Sequence, residues 1–471
     1  MNPGLLDATE QMRLFRAKEL SPVEALEASL AQIERCEPAL NAFCLVDADR
    51  ALADARRSAD RYARGESSGV LDGVPTAIKD VFLTRGWPTL KGSKLVDPDG
   101  PWDVDAPVTS ALRKHNAVLV GKTTTPEIGW KGVTDSPLCD ATRNPWDPAL
   151  TPGGSSGGSS AAIACGIVPA APGTDGGGSI RIPAAWCGHA GLKPTFGRVP
   201  HAPPSPFGTL AHAGPMAWTV RDVALMLTAL TEPDHRDPLA SPPDGIAYER
   251  ALDGDLTGLR VAFSLDLGWV DVDRQIADAV TTAASTLERL GADVERADPG
   301  FEDPVETFSV LWYAGAAKAL AAFGEGADAS VDPGLAEVVI QGRAYTAMEY
   351  LEAMARRADL SVAMGAFHEA YDLLVTPTMP IAPFAAGVEI PEGWPHPRWT
   401  SWTPFTYPFN LTQQPAASVP CGFTDAGLPI GLQIVGARHA DALVLRAAHA
   451  YQGAAPLTDR RPPMATEGVE P

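Results

Sequence analysis

The feature that most restricts the fold of this sequence is a set of short apolar segments bounded by glycine and proline. Residues 74–79, 117–121 and 166–171 are three such segments. Runs of this length and composition are typical of strands buried on both faces of a sheet, because such strands have no solvent-facing side to keep polar. The sequence therefore predicts a sheet that is covered by helices on both of its faces.

A β-α-β unit is predicted between the strands at 259–263 and around Val294. Between these strands, apolar residues recur at helical spacing over 276–290, and Gly291 follows as a C-terminal cap. The unit contains no dinucleotide-binding G-x-G-x-x-G motif. The alternation of strands and helices predicts one large α/β domain, residues 71–471, built around a mostly parallel or mixed central sheet.

Residues 1–70 are predicted to form a helical segment that packs on this domain, so that the whole chain makes one compact unit. Its first confident helix begins near Ser21, where Ser21 and Glu24 form a capping box. Pro22 then occupies the first helical position, which favours a helix start. A second helix is predicted over residues 47–64, which are rich in alanine and charged residues.

Several further elements follow from the local composition. A glycine- and serine-rich loop over 151–160 leads into a short apolar helix over 161–165. Near the C-terminus, residues 429–435 are predicted to form a strand and residues 440–451 a helix. Residues 380–408 are dense in proline and tryptophan, which favours a long surface loop.

The charge balance excludes several classes of partner. The chain has 37 basic and 58 acidic residues, a formal net charge of -21, and no basic run longer than a pair. Nucleic acids and anionic membranes bind clustered lysine and arginine, so neither is expected as a partner. The six cysteines form no C-x-x-C pair, residues 1–15 have no signal-peptide pattern, and no apolar stretch is long enough to span a bilayer. These features predict a cytoplasmic protein.

Two glycine-serine clusters dominate the sequence, at residues 153–158 and 176–181. Glycine lets a ligand approach the backbone closely, so a serine among glycines combines a nucleophile with N–H donors for an oxyanion. A Walker phosphate loop is one alternative, but it requires a lysine that both clusters lack. The first cluster also matches G-x-S-x-G around Ser155 or Ser156. A nucleophile elbow needs a strand directly before it, whereas residues 144–148 have a turn sequence.

A serine nucleophile needs a base that takes its proton. Among the nine histidines, only His189 lies near a cluster in sequence, and packing at a helix end explains it better. Lys79 ends an apolar segment, where a solvated lysine is unexpected. Apolar surroundings destabilise the ammonium form, which would make Lys79 a neutral base. An ion pair with Asp80 or another acid is the alternative role, and the residues alone favour the base only slightly.

Several motifs together resemble those of the amidase signature family. They are Lys79 and residues 121–123, 143–146, 153–158, 173–183, 191–195, 376–378 and 431–433. Because the motifs run from about residue 71 to the last helix, the resemblance covers most of the chain. It implies the amidase signature fold and amide hydrolysis by a Ser-cisSer-Lys triad, without a metal or a cofactor.

The resemblance implies a role for each member of the triad. Ser179 would be the nucleophile and Lys79 the base. Ser155 would bridge them, in a cis peptide bond with Gly154. Ser155 is preferred to Ser156 because its separation from Ser179 matches the spacing in the family.

Around the nucleophile, the resemblance implies an oxyanion hole made by the backbone N–H groups of Gly176, Gly177, Gly178 and Ser179. Asp175 and Arg181 are expected to support this loop through hydrogen bonds. The chain departs from the family at Gly176, where Thr or Ile is usual. The additional glycine predicts more room, or more flexibility, at the oxyanion loop.

Residues that would line a substrate pocket are also predicted, with ordinary packing as the alternative for each. They are Trp130, Gly132, Val133, Phe207 and Trp312. Stand-alone members of the resembled family cleave small amides, anilides, esters and carbamates. The resemblance therefore implies hydrolysis of small apolar or aryl amides through an acyl-enzyme, extending to carbamates (urethanes) and esters. The expected partner is such a small molecule, and the expected assembly is a monomer or a homodimer.

A glutaminase role is the alternative, in which the chain would be the amide-donating subunit of a tRNA-dependent amidotransferase. The core motifs do not separate the two functions. Residues 198–206 depart from the serine- and tyrosine-bearing segment expected in that subunit. This departure favours the stand-alone amidase.

Overall fold

The computed structural model describes residues 3–466, and it is built around one sheet of eleven strands. The strands are β1 (Phe43–Val46), β2 (Pro75–Lys79), β3 (Val118–Thr123), β4 (Ala170–Asp175), β5 (Ala190–Lys193), β6 (His212–Ala217), β7 (Arg260–Phe263), β8 (Asp293–Arg296), β9 (Leu373–Pro377), β10 (Ala416–Phe423) and β11 (Pro429–Gly436). Strands β2, β3 and β11 are buried along their whole length. Their continuous apolar sequences reflect this two-sided cover.

The sheet is mixed, with the order β1-β3-β2-β4-β6-β5-β10-β11-β9-β7-β8. Parallel pairing is confined to two blocks, β3-β2-β4 and β9-β7-β8. The strand pairs between and beside these blocks are antiparallel. The mixed sheet was predicted, but parallel pairs do not predominate. The predicted β-α-β unit is confirmed as the parallel pair β7-β8.

Helices surround the sheet and fill the connections between its strands. They are α1 (Ala8–Ala17), α2 (Pro22–Leu40), α3 (Ala48–Arg64), α4 (Pro107–Lys114), α5 (Gly157–Ala164), α6 (Arg181–Cys187), α7 (Val220–Leu230), α8 (Arg274–Arg289), α9 (Val305–Ala321), α10 (Pro333–Ala344), α11 (Ala347–Ala370), α12 (Pro408–Leu411), α13 (Asp441–Ala454) and α14 (Pro463–Thr466). Within residues 3–466, none of them is both long and apolar enough to cross a membrane.

The N-terminal segment matches its predicted helices but is not purely helical. The Ser21 side chain accepts from the Glu24 N–H, and the Glu24 side chain accepts from the Ser21 N–H, so the capping box at the start of α2 is confirmed. However, β1 lies in the same segment and pairs with β3, so residues 1–70 also extend the central sheet. This strand was not predicted, because it has four residues and is only partly buried.

Two other predictions need correction. The strand predicted over 166–171 begins later, at Ala170, because Gly166 takes a positive φ of 67° at the turn that follows α5. The segment 380–408 is not simply a surface loop, since Trp399 and Trp402 are almost completely buried. Their indoles belong to an aromatic cluster that also contains Phe308. Two other members of the cluster, Phe207 and Trp312, line the cavity described below.

Candidate active site

The ends of two parallel strands bring the first polar residues of the site together. β2 and β4 are neighbours, and the carboxyl ends of parallel strands lie at the same sheet edge. Lys79 is the last residue of β2, and Thr174 is the second-to-last residue of β4. The Lys79 Nζ therefore contacts the Thr174 Oγ1 at 2.8 Å. The same amine contacts the Ser155 Oγ at 2.7 Å and the Ser156 Oγ at 3.0 Å.

Lys79 is completely buried and has no acidic partner among the described residues. Burial lowers the pKa of its amine well below the usual lysine value, and the negative charge of Asp175 opposes this shift only in part. Asp80, the acid considered as an ion-pair partner, instead pairs with Lys122 at 3.0 Å. The surroundings of Lys79 thus favour a neutral amine, because solvation of an ammonium ion is lost without a compensating charge.

Ser155 lies in the glycine-serine tract just before α5, and the peptide bond between Gly154 and Ser155 is cis. The tract is tightly enclosed. A β-carbon on Gly154 would lie 2.5 Å from the Val133 carbonyl carbon. The Thr134 Oγ1 donates to the Gly153 carbonyl at 2.8 Å and accepts from the Gly157 N–H at 3.1 Å. These contacts require glycine at the crowded positions and hold the Ser155 side chain next to Lys79.

Ser179 lies in the connection between β4 and α6, and it lines a cavity of about 550 Å³ together with Ser155 and Thr174. The Ser156 N–H donates to the Ser179 carbonyl at 3.2 Å, which links the two glycine-serine clusters directly. The Ser179 hydroxyl forms no hydrogen bond with any described residue. It is thus available to a bound substrate.

The oxyanion loop has fewer available donors than were predicted. The Gly178 N–H donates to the Asp175 Oδ1 at 2.8 Å, so in this structure it is already engaged. The N–H groups of Gly176, Gly177 and Ser179 donate to no acceptor in the described part of the chain. Gly176 and Ser179 also line the cavity. Of the four predicted donors, three are therefore unengaged, and two of these three belong to residues that line the cavity.

Asp175 and Arg181 form a buried network that fixes this loop. Arg181 donates to both Asp175 oxygens at 2.9 Å, a bidentate pair with both side chains inaccessible to solvent. Burial acts to raise the pKa of Asp175, but the charge and hydrogen bonds of Arg181 outweigh it and hold the pKa below the usual value. Asn410 and Gln433 complete the network through contacts with Arg181 at 2.7 and 2.8 Å. The predicted support role of Asp175 and Arg181 agrees with these contacts.

The space left by Gly176 is occupied. A β-carbon at Gly176 would lie 2.7 Å from the Trp312 indole, so the extra glycine does not leave the predicted room. Trp312 stacks on Phe207 with ring centroids 3.9 Å apart, and both rings line the cavity as predicted.

The other three predicted pocket residues do not line the cavity. Trp130 is fully buried, and its carbonyl accepts from the Trp312 Nε1 at 3.0 Å. Gly132 packs against Trp399 and Trp402, and Val133 backs the glycine-serine tract at Gly154. These residues support the wall from behind, because their backbone or side chains face the aromatic cluster instead of the cavity.

His189 is not part of the site, whereas two residues that were not predicted contact the Lys79 amine. His189 contacts Ser160 and the Ala190 carbonyl, and burial lowers its pKa to about 4, so it is a packed histidine as expected. Thr174 and Ser156 touch the Lys79 amine but were not predicted to do so. Thr174 belongs to a recognised motif, so its place beside Asp175 could have suggested this contact.

Comparisons with known proteins identify the family of the chain. A family model described as "Amidase" matches residues 24–445. An acylamidase of Rhodococcus erythropolis is 38% identical over 469 aligned positions, covering 97% of each chain. One of the subunits of the glutamyl-tRNA(Gln) amidotransferase of Chloroflexus aurantiacus is 37% identical over 487 positions, covering 97% of this chain and 98% of the relative. A crystal structure of a bacterial aryl acylamidase of the amidase signature enzymes superposes with a TM-score of 0.91 at 31% identity, covering 99% of both chains.

Proposed function

The chain belongs to the amidase signature family, and from that membership we propose that it hydrolyses small apolar or aryl amides, and carbamates and esters of similar shape. The protein is thus an amide-hydrolysing enzyme. Ser179 is the nucleophile, Lys79 the base and Ser155 the link between them. One observation carries this proposal: the fully buried Lys79 amine, without an acidic partner among the described residues, lies 2.7 Å from a hydroxyl that shares a cavity with Ser179.

The contacts of Lys79 support a route for the proton. An ammonium group only donates hydrogen bonds, whereas a neutral amine has two N–H donors and one lone pair. Three hydroxyl groups surround the Lys79 amine, so one of them must donate to its lone pair when the amine is neutral. The Ser156 hydroxyl already donates to the Thr174 carbonyl at 3.2 Å. Ser155 and Thr174 are then left to donate to Lys79, and Ser155 is the residue expected to face the nucleophile.

The proposed reaction proceeds in two acyl-transfer steps. The Ser179 Oγ attacks the amide carbon while its proton passes to Ser155, and the Ser155 proton passes to Lys79. The carbonyl oxygen becomes an oxyanion that accepts from the N–H groups of Gly176, Gly177 and Ser179. When the C–N bond breaks, the proton returns through the same groups to the leaving amine. Water then attacks the Ser179 ester by the same route and releases the acid.

The composition of the cavity wall supports apolar and aryl substrates. Phe82, Phe207 and Trp312 line the cavity, and residues 200–206 contribute a proline-rich wall. Flat rings stack well on such aromatic surfaces. The similarity to the bacterial aryl acylamidase and to the acylamidase from Rhodococcus erythropolis supports the same substrate class.

The second candidate, a glutaminase subunit, has support from the sequence similarity to the amidotransferase subunit of Chloroflexus aurantiacus. The identities of 38% and 37% do not separate the two candidates. The segment that departs from the expected subunit sequence, however, lines the cavity at residues 200–206. Because this departure lies where a substrate would bind, it favours the stand-alone amidase.

The experiment that tests the proposed function uses the purified chain alone. Hydrolysis of 4-nitroacetanilide, benzamide and a phenyl carbamate is measured beside hydrolysis of glutamine. We expect anilide cleavage without any partner protein, and none in Ser179→Ala. Glutaminase activity alone, with no anilide cleavage, would favour the amidotransferase role and contradict the proposal.

A further inference from the structure

The ionisable side chains that line the cavity are basic, whereas the protein as a whole is acidic. The chain has a formal net charge of -21, yet no aspartate or glutamate of the described residues lines the cavity. The ionisable side chains that do line it are Lys91, Lys318 and His201. A wall that carries lysines and no acidic side chain favours a positive local potential, which attracts anions from solution.

Lys91 is the most distinctive of these residues. It is half-buried, and its amine forms no hydrogen bond and no ion pair with any described residue. Burial lowers the pKa of the amine, and the charge of Asp80 offsets this only partly. Asp80 itself is paired with Lys122 at 3.0 Å. A lysine that loses solvation without gaining a protein partner is poised to gain one from a ligand.

The backbone that carries Lys91 is held in an unusual conformation. Lys91 has a φ of 54° and Ile128 a φ of 49°, both in the left-handed region that branched or long side chains rarely adopt. The Ile128 N–H donates to the Lys91 carbonyl at 2.7 Å, which locks the two segments together. The next residue, Gly129, lies against Ser155, whose Oγ would be 3.4 Å from a β-carbon there. One backbone hydrogen bond thus joins the Lys91 segment to the segment that packs against Ser155.

Two further basic side chains share the cavity. Lys318 lies on α9, is exposed, and forms no ion pair with the described residues. The Nδ1 of His201 is buried and has no hydrogen-bond partner in the described structure. Burial lowers the pKa of His201, the negative charge of Asp237 raises it in part, and the positive charge of Lys91 lowers it. A polar atom left without a partner beside a lysine marks a place where a polar ligand group would be stabilised.

We propose that the cavity selects amide substrates that also carry a carboxylate, and that Lys91 binds this carboxylate while the Ser179 loop receives the scissile amide. This inference rests on the proposed function and narrows its substrate class. Lys318 at the exposed side attracts the anion, and Lys91 holds it. An apolar or aryl body and an anionic end are compatible, because the aromatic wall and the lysines lie on the same cavity.

The test compares substrates with and without a carboxylate. One pair is the 4-nitroanilides of valeric acid and of glutaric acid, which place a methyl or a carboxylate at the far end of the acyl chain. The other pair is butyranilide and 4-butyramidobenzoate, which place the carboxylate on the amine side. For each pair, kcat/KM is measured for the wild type, Lys91→Met, Lys91→Arg and the control Lys94→Met. Lys94 is exposed and does not line the cavity.

We expect the anionic member of at least one pair to be preferred by about tenfold or more, the scale of a hydrogen bond to a charged group. Lys91→Met should abolish the preference, Lys91→Arg should retain much of it, and Lys94→Met should leave it unchanged. Equal kcat/KM values within both pairs in the wild type, with the neutral anilides hydrolysed, would overturn this inference and leave the proposed function intact. If no anilide were hydrolysed, the proposed function itself would fail and the inference with it.

Discussion

The indole of Trp312 occupies the space in which a β-carbon of Gly176 would lie, with Cζ3 at 2.7 Å and Cη2 at 3.0 Å from that position. The additional glycine of the oxyanion loop and the tryptophan of α9 are therefore complementary. Gly176 lets the indole reach the loop, and the indole in turn fills the volume that a larger residue would take. The contact between Gly176 and Trp312 therefore shapes both the oxyanion loop and the cavity wall.

This contact predicts the effect of a single methyl group. Gly176→Ala should displace Trp312 or the loop at a cost of about 1–3 kcal/mol. If the free energy of the transition state rises by this amount, kcat/KM decreases by roughly tenfold to a hundredfold. Combining it with Trp312→Leu, which frees the space, should restore part of the loss, so the two changes are expected to be non-additive. Gly365→Ala is the control, because nothing lies within 4 Å of a β-carbon at that exposed helix position. Additive losses would contradict the proposed complementarity.

The lowered pKa of the Lys79 amine predicts a dependence of stability on pH. Since the pKa of this amine is lower in the folded protein than in the unfolded chain, folding releases its proton, and the free energy of unfolding should rise with pH. The rise continues up to the unfolded pKa of about 10.4 and is at most about 1.4 kcal/mol per pH unit. Lys79→Met lacks this contribution.

The measurement is urea unfolding of the wild type and Lys79→Met between pH 7 and 9. The difference between their free energies of unfolding should change in favour of the wild type as pH rises. The exposed Lys94→Met variant should show no such trend. A difference that does not vary with pH would mean that Lys79 stays charged in the folded protein.

The buried pair of Asp175 and Arg181 predicts a large stability effect. Asp175→Asn leaves the Arg181 charge uncompensated and should destabilise the protein by about 3–5 kcal/mol. Asp278→Asn, which alters an exposed pair at 3.8 Å, should change stability by about 1 kcal/mol or less. Urea unfolding at pH 7 measures both. Because the pKa of Asp175 is lowered by folding, its contribution is complete above pH about 4 and is lost on acidification below that value. Equal effects of the two substitutions would contradict the structural role of the pair.

The two serines beside Lys79 should respond differently to removal of their hydroxyls. Ser155→Ala should lower kcat by roughly a hundredfold to ten-thousandfold, the range of a lost proton-transfer group, with a smaller change in KM. The Ser156 hydroxyl is engaged with the Thr174 backbone, so Ser156→Ala should mainly reduce stability, by about 1–3 kcal/mol. Steady-state kinetics and urea unfolding of both variants check this. A greater loss of kcat in Ser156→Ala would reverse the assignment of the linking residue.

Local sequence rules predicted the parts of the fold that depend on neighbouring residues. The capping box at Ser21 fixed the start of α2, and Gly291 marked the end of the α8 segment, because caps and periodic apolar faces are encoded within a few positions. The strand β1 was missed because four partly buried residues show no clear periodicity. The antiparallel centre of the sheet was not predicted, since strand order depends on contacts between distant segments.

The site likewise has some features that could be predicted from the sequence and others that depend on contacts between distant segments. The family resemblance brought Lys79, Ser155 and Ser179 into one hypothesis, and the structure places Lys79 in contact with Ser155. The motifs did not reveal which N–H groups are already engaged, such as that of Gly178, which donates to Asp175. The motifs also did not show that Trp130, Gly132 and Val133 lie behind the cavity wall and do not line the cavity. Lys91 was not singled out in the sequence. Its proposed role rests on the absence of a hydrogen-bond or ion-pair partner among the described residues, and only the three-dimensional structure shows this.

Covalent labelling tests the central claim most directly. The purified protein is treated with a fluorophosphonate, and the site of the adduct is mapped by peptide mass spectrometry in the wild type, Ser179→Ala and Ser156→Ala. We predict one adduct on Ser179, its loss in Ser179→Ala and its retention in Ser156→Ala. Labelling of Ser179→Ala at the wild-type rate, or an adduct on Ser156 in the wild type, would contradict the assignment of Ser179 as the nucleophile.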